Sequence, residues 1–214
     1  MSRIFVTGIG TDIGKTIVSA VITEALNADY WKPIQAGLDE LTDSEKVRGL
    51  ITNKKSVIHP EAFRLKMAAS PHAAAAAEGV SIAVNNINVP ITLNNLVIEG
   101  AGGLMVPLNE KELVVDLIKA LKVSVVVVIR HYLGSINHSL LTLRALEQQK
   151  IPVLGIVFSG TANEASERVI LSHYKHPVIG RIAEEKEFTP GVILCYAKEF
   201  RTSPTLLALH SGNK

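Results

Sequence analysis

Apolar positions along the chain fall into short blocks that alternate between continuous β-branched runs and helical spacing. Residues 3–7 read as a short buried strand, and 15–26 as a helix. A second short strand is expected over 30–34, stopped by Pro33 and Gly37. Thr42-Asp43-Ser44-Glu45 is a capping box, so a helix is expected over 43–51. The stretch 52–90 is the least regular, although its alanine run predicts a helix over 71–78. From Leu93 onward the alternation is regular. Strands are expected over 95–99, 123–130, 152–159 and 178–182, with helices over 112–121, 135–149 and 163–174. The valine-rich run 123–130 shows no period of two, as in a strand covered on both faces. Repeated strand–helix units imply an α/β fold of three layers, with helices flanking a mostly parallel sheet and ligands at the strands' carboxyl ends. With no internal repeat and no Ser/Gly linker, a single domain is expected over 1–214.

Composition agrees with an ordinary folded domain, at 47% hydrophobic and 20% charged residues. Twenty-two Lys and Arg against 20 Asp and Glu leave a charge of +2, too balanced for a nucleic-acid or anionic-membrane surface. A lone cysteine, Cys195, excludes an internal disulfide framework and a cysteine-based zinc site. The N-terminal ten residues meet glycine too soon for a secretory signal, and the run 123–129 is too short to span a bilayer. A cytoplasmic setting is the expectation.

Chemistry enters with Thr7-Gly8-Ile9-Gly10-Thr11-Asp12-Ile13-Gly14-Lys15-Thr16, which joins the first strand to the first helix. Glycines let backbone N–H groups turn inward around a polyphosphate, and the helix N-terminus adds its dipole. Lys15 can reach the β and γ phosphates, and the Thr16 hydroxyl can bind magnesium. The regular pattern has glycine where Ile9 stands. With Gly8 one place earlier, this is a phosphate loop one residue longer. Asp12, Ile13, Gly14, Lys15, Thr16 and Ile17 are the expected nucleotide contacts. A dinucleotide fingerprint would want an acidic residue after the second strand, where Trp31-Lys32-Pro33 stands. A regulatory GTPase would want an aspartate that Asn53-Lys54-Lys55-Ser56 lacks.

Three more segments fall at strand ends: Trp31 to Gly37, Val97 to Gly103, and Leu133 to His138. Together with the long phosphate loop, in this order and spacing from residue 3 to about 160, they resemble the dethiobiotin synthetases of biotin synthesis. The resemblance implies an ATP- and magnesium-dependent ligase acting on 7,8-diaminopelargonate and CO2. A carbamate formed on one amine attacks the γ-phosphate, and the second amine then displaces phosphate to close the ureido ring. It implies Lys15 and Lys32 as catalytic cations, with Thr11 and Asp12 near the substrate amines. It implies a magnesium site of Thr16, Glu99 and an aspartate, for which Asp43 is the candidate and Asp39 its rival. Glu99, Gly100, Ala101 and Gly102 would border the nucleotide, and Ser159 occupies the place of an adenine-reading asparagine. Ala36, Gly134, Ser135 and Asn137 would hold substrate, the last three across the interface of a homodimer. Ser135 read by itself is equally a helix cap, and Asp43 is also explained by the helix dipole. His72 matches a family position, whereas His173 and His176 lack a third metal ligand.

Three departures stand out. Ala36 replaces a hydroxyl residue, Ser159 replaces asparagine, and Gly180-Arg181-Ile182-Ala183 replaces the Gly-x-Ile-Pro stretch beside adenine. They leave the phosphate chemistry intact and bear on base preference and substrate affinity. The alternatives are a partitioning-type P-loop ATPase switch, disfavoured by Gly10 in place of a lysine, and a catalytically weakened nucleotide-binding paralogue. A cobyrinate-type amidotransferase would need a glutaminase domain, for which the chain has no room.

Overall fold

The computed structural model describes the backbone of residues 1–211, with side chains to residue 209. The apolar runs form strands β1 (Arg3–Gly8), β2 (Asp29–Trp31), β3 (Ile34–Ala36), β4 (Ile58–His59), β5 (Phe63–Leu65), β6 (Leu96–Glu99), β7 (Ser124–Arg130), β8 (Val153–Ser159) and β9 (Val178–Ile182). The helices are α1 (Lys15–Leu26), α2 (Asp43–Leu50), α3 (Pro71–Ala77), α4 (Val114–Leu121), α5 (Ser135–Gln148), α6 (Glu164–His173), α7 (Pro190–Arg201) and α8 (Pro204–Ser211). Seven strands pair in parallel in the order β4-β2-β6-β1-β7-β8-β9. From β1 the chain moves outward to β2 and β4, returns to β6 beside β1, and crosses to β7, β8 and β9. That reversal opens a crevice at the carboxyl ends of β1, β6 and β7, where a ligand fits between diverging loops.

The sheet is sealed on both faces. Val125 to Ile129 are fully buried, as are Phe5, Tyr30 and Ile98, which explains the missing alternation in the valine run. Helix α1 is buried almost all round and packs between α2 and α7.

The expected strand over 30–34 is in fact two. β2 belongs to the large sheet, whereas β3 pairs with β5 in a separate two-stranded sheet. Pro33 causes the break. It offers no N–H to a ladder and keeps the preceding residue out of the helical region, while its carbonyl accepts from Ala62 and Phe63 at 2.9 and 3.0 Å. The irregular stretch thus supplies β4 and β5, and the chain after β9 forms α7 and α8, all four beyond the elements expected. Ser135 does not cap α5. The cap is Gly134, in the left-handed region at φ 99°, and Ser135 lies buried in the first turn.

Two buried carboxylates latch the edges of the fold. Asp29 accepts from Val57 N–H, the Asn94 amide and the Thr92 hydroxyl at 2.9, 2.8 and 2.6 Å, and faces His59 Nε2 at 3.0 Å. Glu24 accepts from the backbone and side chains of Thr52 and Asn53 at 2.8 to 3.1 Å. Burial alone would raise both pKa values, but these donors outweigh it and hold each below the usual carboxylate range. The unfolded chain therefore binds more protons between the folded and unfolded pKa values. The stabilisation is complete above about pH 4.5 and is lost as pH falls through the folded values. Asp29→Asn and Glu24→Gln should each cost about 1–3 kcal/mol, because buried donors lose a charged acceptor. Each should also flatten the rise of Tm between pH 3 and 5. A variant whose Tm–pH curve ran parallel to that of the wild type would show that the carboxylate is not the latch.

Candidate active site

The loop between β1 and α1 is built on backbone conformation. Gly14 caps α1 at φ 93°, where an L side chain is strained, and a Cβ there would lie 2.7 Å from Ser159 Oγ. Asp12, although not glycine, takes φ 55°, a conformation held only where surrounding structure over-determines it. The turn leaves the first N–H groups of α1 facing the crevice. Lys15 folds back over the loop and donates to the Gly10 carbonyl at 2.6 Å. Burial pulls its ammonium down to about 8, against the opposing pull of Glu99.

Beside the loop lies a compact charge cluster. The break at Pro33 leaves Lys32 at the carboxyl edge of β2, next to Glu99 at the end of β6. Lys32 Nζ donates to Glu99 Oε1 at 3.2 Å and to Asp43 Oδ2 from the first turn of α2. Thr16 Oγ1 donates to the same Glu99 oxygen at 2.8 Å. Burial by itself would lower the Lys32 pKa, but Glu99 and Asp43 raise it, so the group is firmly an ammonium. Lys32 in turn outweighs the burial of Asp43 and holds that carboxyl below its ordinary value. The capping box places Asp43 here. Thr42 and Glu45 satisfy each other's backbone N–H groups, and Gln35 Oε1 accepts from Asp43 N–H at 3.3 Å. Asp39, the rival aspartate, is exposed and lies outside the cleft.

The cleft around this cluster has a volume of about 740 Å³. Thr11, Asp12, Gly14, Lys15, Thr16 and Ile17 form its floor, with Lys32, Asp43, Glu99 and Gly102 at one end. Ser159 at the end of β8 and Gly160 just after it, with Ala183, Glu184, Glu187 and Phe188 after β9, wall the other end. Ile13, Ala36, Gly100 and Ala101 do not line it. Gly100 is needed for packing, since a Cβ would meet the Phe5 ring at 2.7 Å. Gly134, Ser135 and Asn137 line a different hollow with Tyr132 and Leu133, apart from the cleft within one chain. Arg181 also turns away: it pairs with Glu167 and lies over the Phe158 ring, 5.0 Å from its centroid. His72 pairs with Ser70 Oγ at 3.1 Å, outside both hollows.

Three features have no counterpart among the expected residues. Arg130 and Glu184 form a two-pronged ion pair at 2.8 and 2.9 Å on the far wall. Leu41, Lys46 and Leu50 close the cleft from the side of α2. Tyr30 Oη donates to Glu99 Oε2 at 2.8 Å inside the sheet. The loops after β8 and β9 carry no local motif, and the Tyr30 contact joins residues far apart in sequence.

Among the described residues no group of three or more His, Cys, Asp or Glu side chains could hold a metal unaided. The donors at Thr16, Asp43 and Glu99 are all hard oxygens facing a phosphate loop, the partial set magnesium takes when phosphates and waters complete its shell.

A family model described as an AAA domain matches residues 2–191. The chain is 52% identical over 198 residues to the ATP-dependent dethiobiotin synthetase BioD of Cytophaga hutchinsonii, covering 92% of this chain and 96% of that protein. To the BioD of Christiangramia forsetii it is 52% identical over 197 residues, covering 92% and 95%. To that of Chlamydia pneumoniae it is 44% identical over 201 residues, covering 94% and 90%. Among solved structures, a ParA family ATPase from Chlorobium tepidum superposes with a TM-score of 0.56 at 9% identity, over 100% of this chain and 99% of that one. A putative plasmid partition protein from Borrelia burgdorferi bound to AMPPNP gives 0.56 at 11% identity, over 100% and 99%. At such identities these two speak for a P-loop NTPase fold alone.

Proposed function

The chain belongs to the ATP-dependent dethiobiotin synthetase family, and from that premise we propose how its cleft closes the ureido ring. The enzyme is an ATP-dependent ligase of biotin synthesis. One amine of 7,8-diaminopelargonate adds to CO2 and loses a proton to give a carbamate. A carbamate oxygen attacks the γ-phosphorus, and ADP leaves. The second amine adds to the activated carbonyl and phosphate departs, closing the ring. No protein nucleophile is needed. The demand is for fixed cations around a transferring phosphoryl group, and the convergence of Lys15 and Lys32 on one cleft is the observation that carries the reading.

In this reading Asp12, Gly14, Lys15, Thr16 and Ile17 hold the triphosphate, with Lys15 over the β and γ phosphates, and Ile13, whose side chain is buried in the core, contributes at most its backbone N–H. Lys32 reaches between carbamate and γ-phosphate. Thr11 and Asp12, both exposed at the loop tip, face the substrate amines. Thr16, Asp43 and Glu99 would hold magnesium, which supplies charge neutralisation at the phosphates. Two buried ammonium groups nearly balance two carboxylates here, which favours a metal-complexed triphosphate over the bare anion. Gly134, Ser135 and Asn137 reach the substrate carboxylate from a second subunit, in keeping with their separate hollow, whereas Ala36, which does not line the cleft, is given no substrate contact. That makes the working enzyme a homodimer of P-loop units spanning 1–214, placed in the cytoplasm. No described helix is long and apolar enough to cross a membrane. The direct test is ATP-dependent incorporation of labelled bicarbonate into a product from diaminopelargonate; a purified enzyme that turned over ATP without incorporating label would refute the reading.

Base preference follows from the far wall. Ser159 is buried beside the phosphate loop and offers one short hydroxyl, where an asparagine amide reaches further and presents a carbonyl acceptor and an NH2 donor side by side. The phosphate loop supplies most of the binding whatever the base. CTP or GTP should therefore support turnover within about tenfold of ATP, a gap of ~1.4 kcal/mol. Ser159→Asn should widen the gap toward ATP. A preference of a hundredfold or more in the unmutated enzyme would instead assign base reading to the exposed Arg130–Glu184 pair.

A further inference from the structure

Tyr30 has no part in the roles assigned above, yet it holds one of the central carboxylates. Register fixes the geometry: Tyr30 on β2 pairs with Val97 on β6, and Trp31 with Ile98. Positions two apart share a sheet face, so Tyr30 and Glu99 project from the same face of neighbouring strands, two residues out of line. A diagonal of that length is within reach of an aromatic side chain. The phenol spans it and donates to Glu99 Oε2 at 2.8 Å. Tyr30 is fully buried, and Glu99 is 1% exposed.

The two oxygens of Glu99 are thereby given different surroundings. Oε2 turns into the sheet toward Tyr30, while Oε1 meets Thr16 Oγ1 and Lys32 Nζ at the cleft. The last torsion of a glutamate is broad, so a carboxylate left to itself can offer either oxygen, or both, to a cation. A hydrogen bond to Oε2 stops that rotation. Packing alone does not require the hydroxyl, because phenylalanine would fill nearly the same volume.

We propose that Tyr30 is a positioning residue that pins Glu99 so that Oε1 alone faces the metal side of the cleft. The inference rests on the reading of Glu99 as a magnesium ligand. Hydrogen-bond partners of ligating carboxylates orient them, and losing one costs about 10–100-fold in metal affinity or activity. Tyr30→Phe removes the oxygen and leaves the ring.

The test is a magnesium titration of Tyr30→Phe, read by calorimetry with β,γ-imido-ATP and, separately, by turnover. The magnesium needed for half-saturation should rise about tenfold in both, with a smaller change in kcat once magnesium saturates. Affinity for the analogue in excess EDTA should stay within twofold, which a general loss of structure would not allow. Wild-type magnesium dependence in folded Tyr30→Phe, beside a weakened Glu99→Gln, overturns the inference and leaves the parent reading standing. Unaltered dependence in Glu99→Gln removes both. Should Tyr30→Phe not fold because it strands a buried charge, Glu99→Gln and the double variant Glu99→Gln/Tyr30→Phe decide the matter. Equal magnesium dependence in that pair supports Tyr30 acting through Glu99, and a further loss in the double variant overturns it.

Discussion

Lys32→Ala and Lys15→Ala should each lower kcat by about 10²-fold or more, the usual cost of removing one preorganised electrostatic donor. In the proposed mechanism both ammonium groups matter most once charge develops on the transferring phosphoryl group, so the loss should appear in kcat rather than in KM alone. The two variants should differ in stability. Lys15 is also buried, but its direct partner is a backbone carbonyl and not a carboxylate. Lys32 lies between Asp43 and Glu99, so its removal leaves two carboxylates facing each other. Breaking a buried pair costs about 3–5 kcal/mol, which should appear as a large fall in Tm for Lys32→Ala, partly restored by added magnesium. Lys15 adds a pH signature. With its ammonium pulled down to about 8, the free enzyme loses that charge as pH rises through this value, and kcat/KM for ATP should fall with it. In the complex the phosphates hold the proton, so kcat should decline only at higher pH. An unchanged kcat in Lys32→Ala would remove that residue from the mechanism.

Glu99→Gln should raise the magnesium required for half-maximal rate by about 10–100-fold. The change keeps the shape and removes the charge that a hard cation seeks. Asp43→Asn should act in the same direction, and Asp39→Asn should not, since only Asp43 reaches the cluster. Parallel magnesium titrations of the three variants separate the aspartates. An effect of Asp39→Asn equal to that of Asp43→Asn would count against the assignment. Because Glu99 also accepts from Thr16, Lys32 and Tyr30, Glu99→Gln should lower Tm as well. The magnesium requirement, measured where the variant is folded, is the quantity that reports ligation.

What the sequence determined by itself is whatever a few consecutive residues can encode. The phosphate loop was legible because Gly14, Lys15 and Thr16 build their site from one strand end and one helix start. The helix at Asp43 was legible because Thr42 and Glu45 satisfy each other's backbone groups within a single turn. The parallel sheet followed from the spacing of apolar runs, and Lys32 and Glu99 stood out as charged residues ending buried strands. The tertiary structure alone decided which aspartate joins the cluster, because Asp39 and Asp43 differ little in sequence but Asp39 is left outside by the turn into α2. It decided that Pro33 hands the chain to a second sheet, that Arg181 is spent on Glu167 and Phe158, and that Tyr30 meets Glu99. These outcomes depend on strand order, register and helix placement, which bring together residues from 11 positions apart, as in Lys32 and Asp43, to 83, as in Thr16 and Glu99. The physical reason is that caps and loops are closed by local hydrogen bonds, whereas a contact between strands is fixed only when the whole sheet has chosen its neighbours.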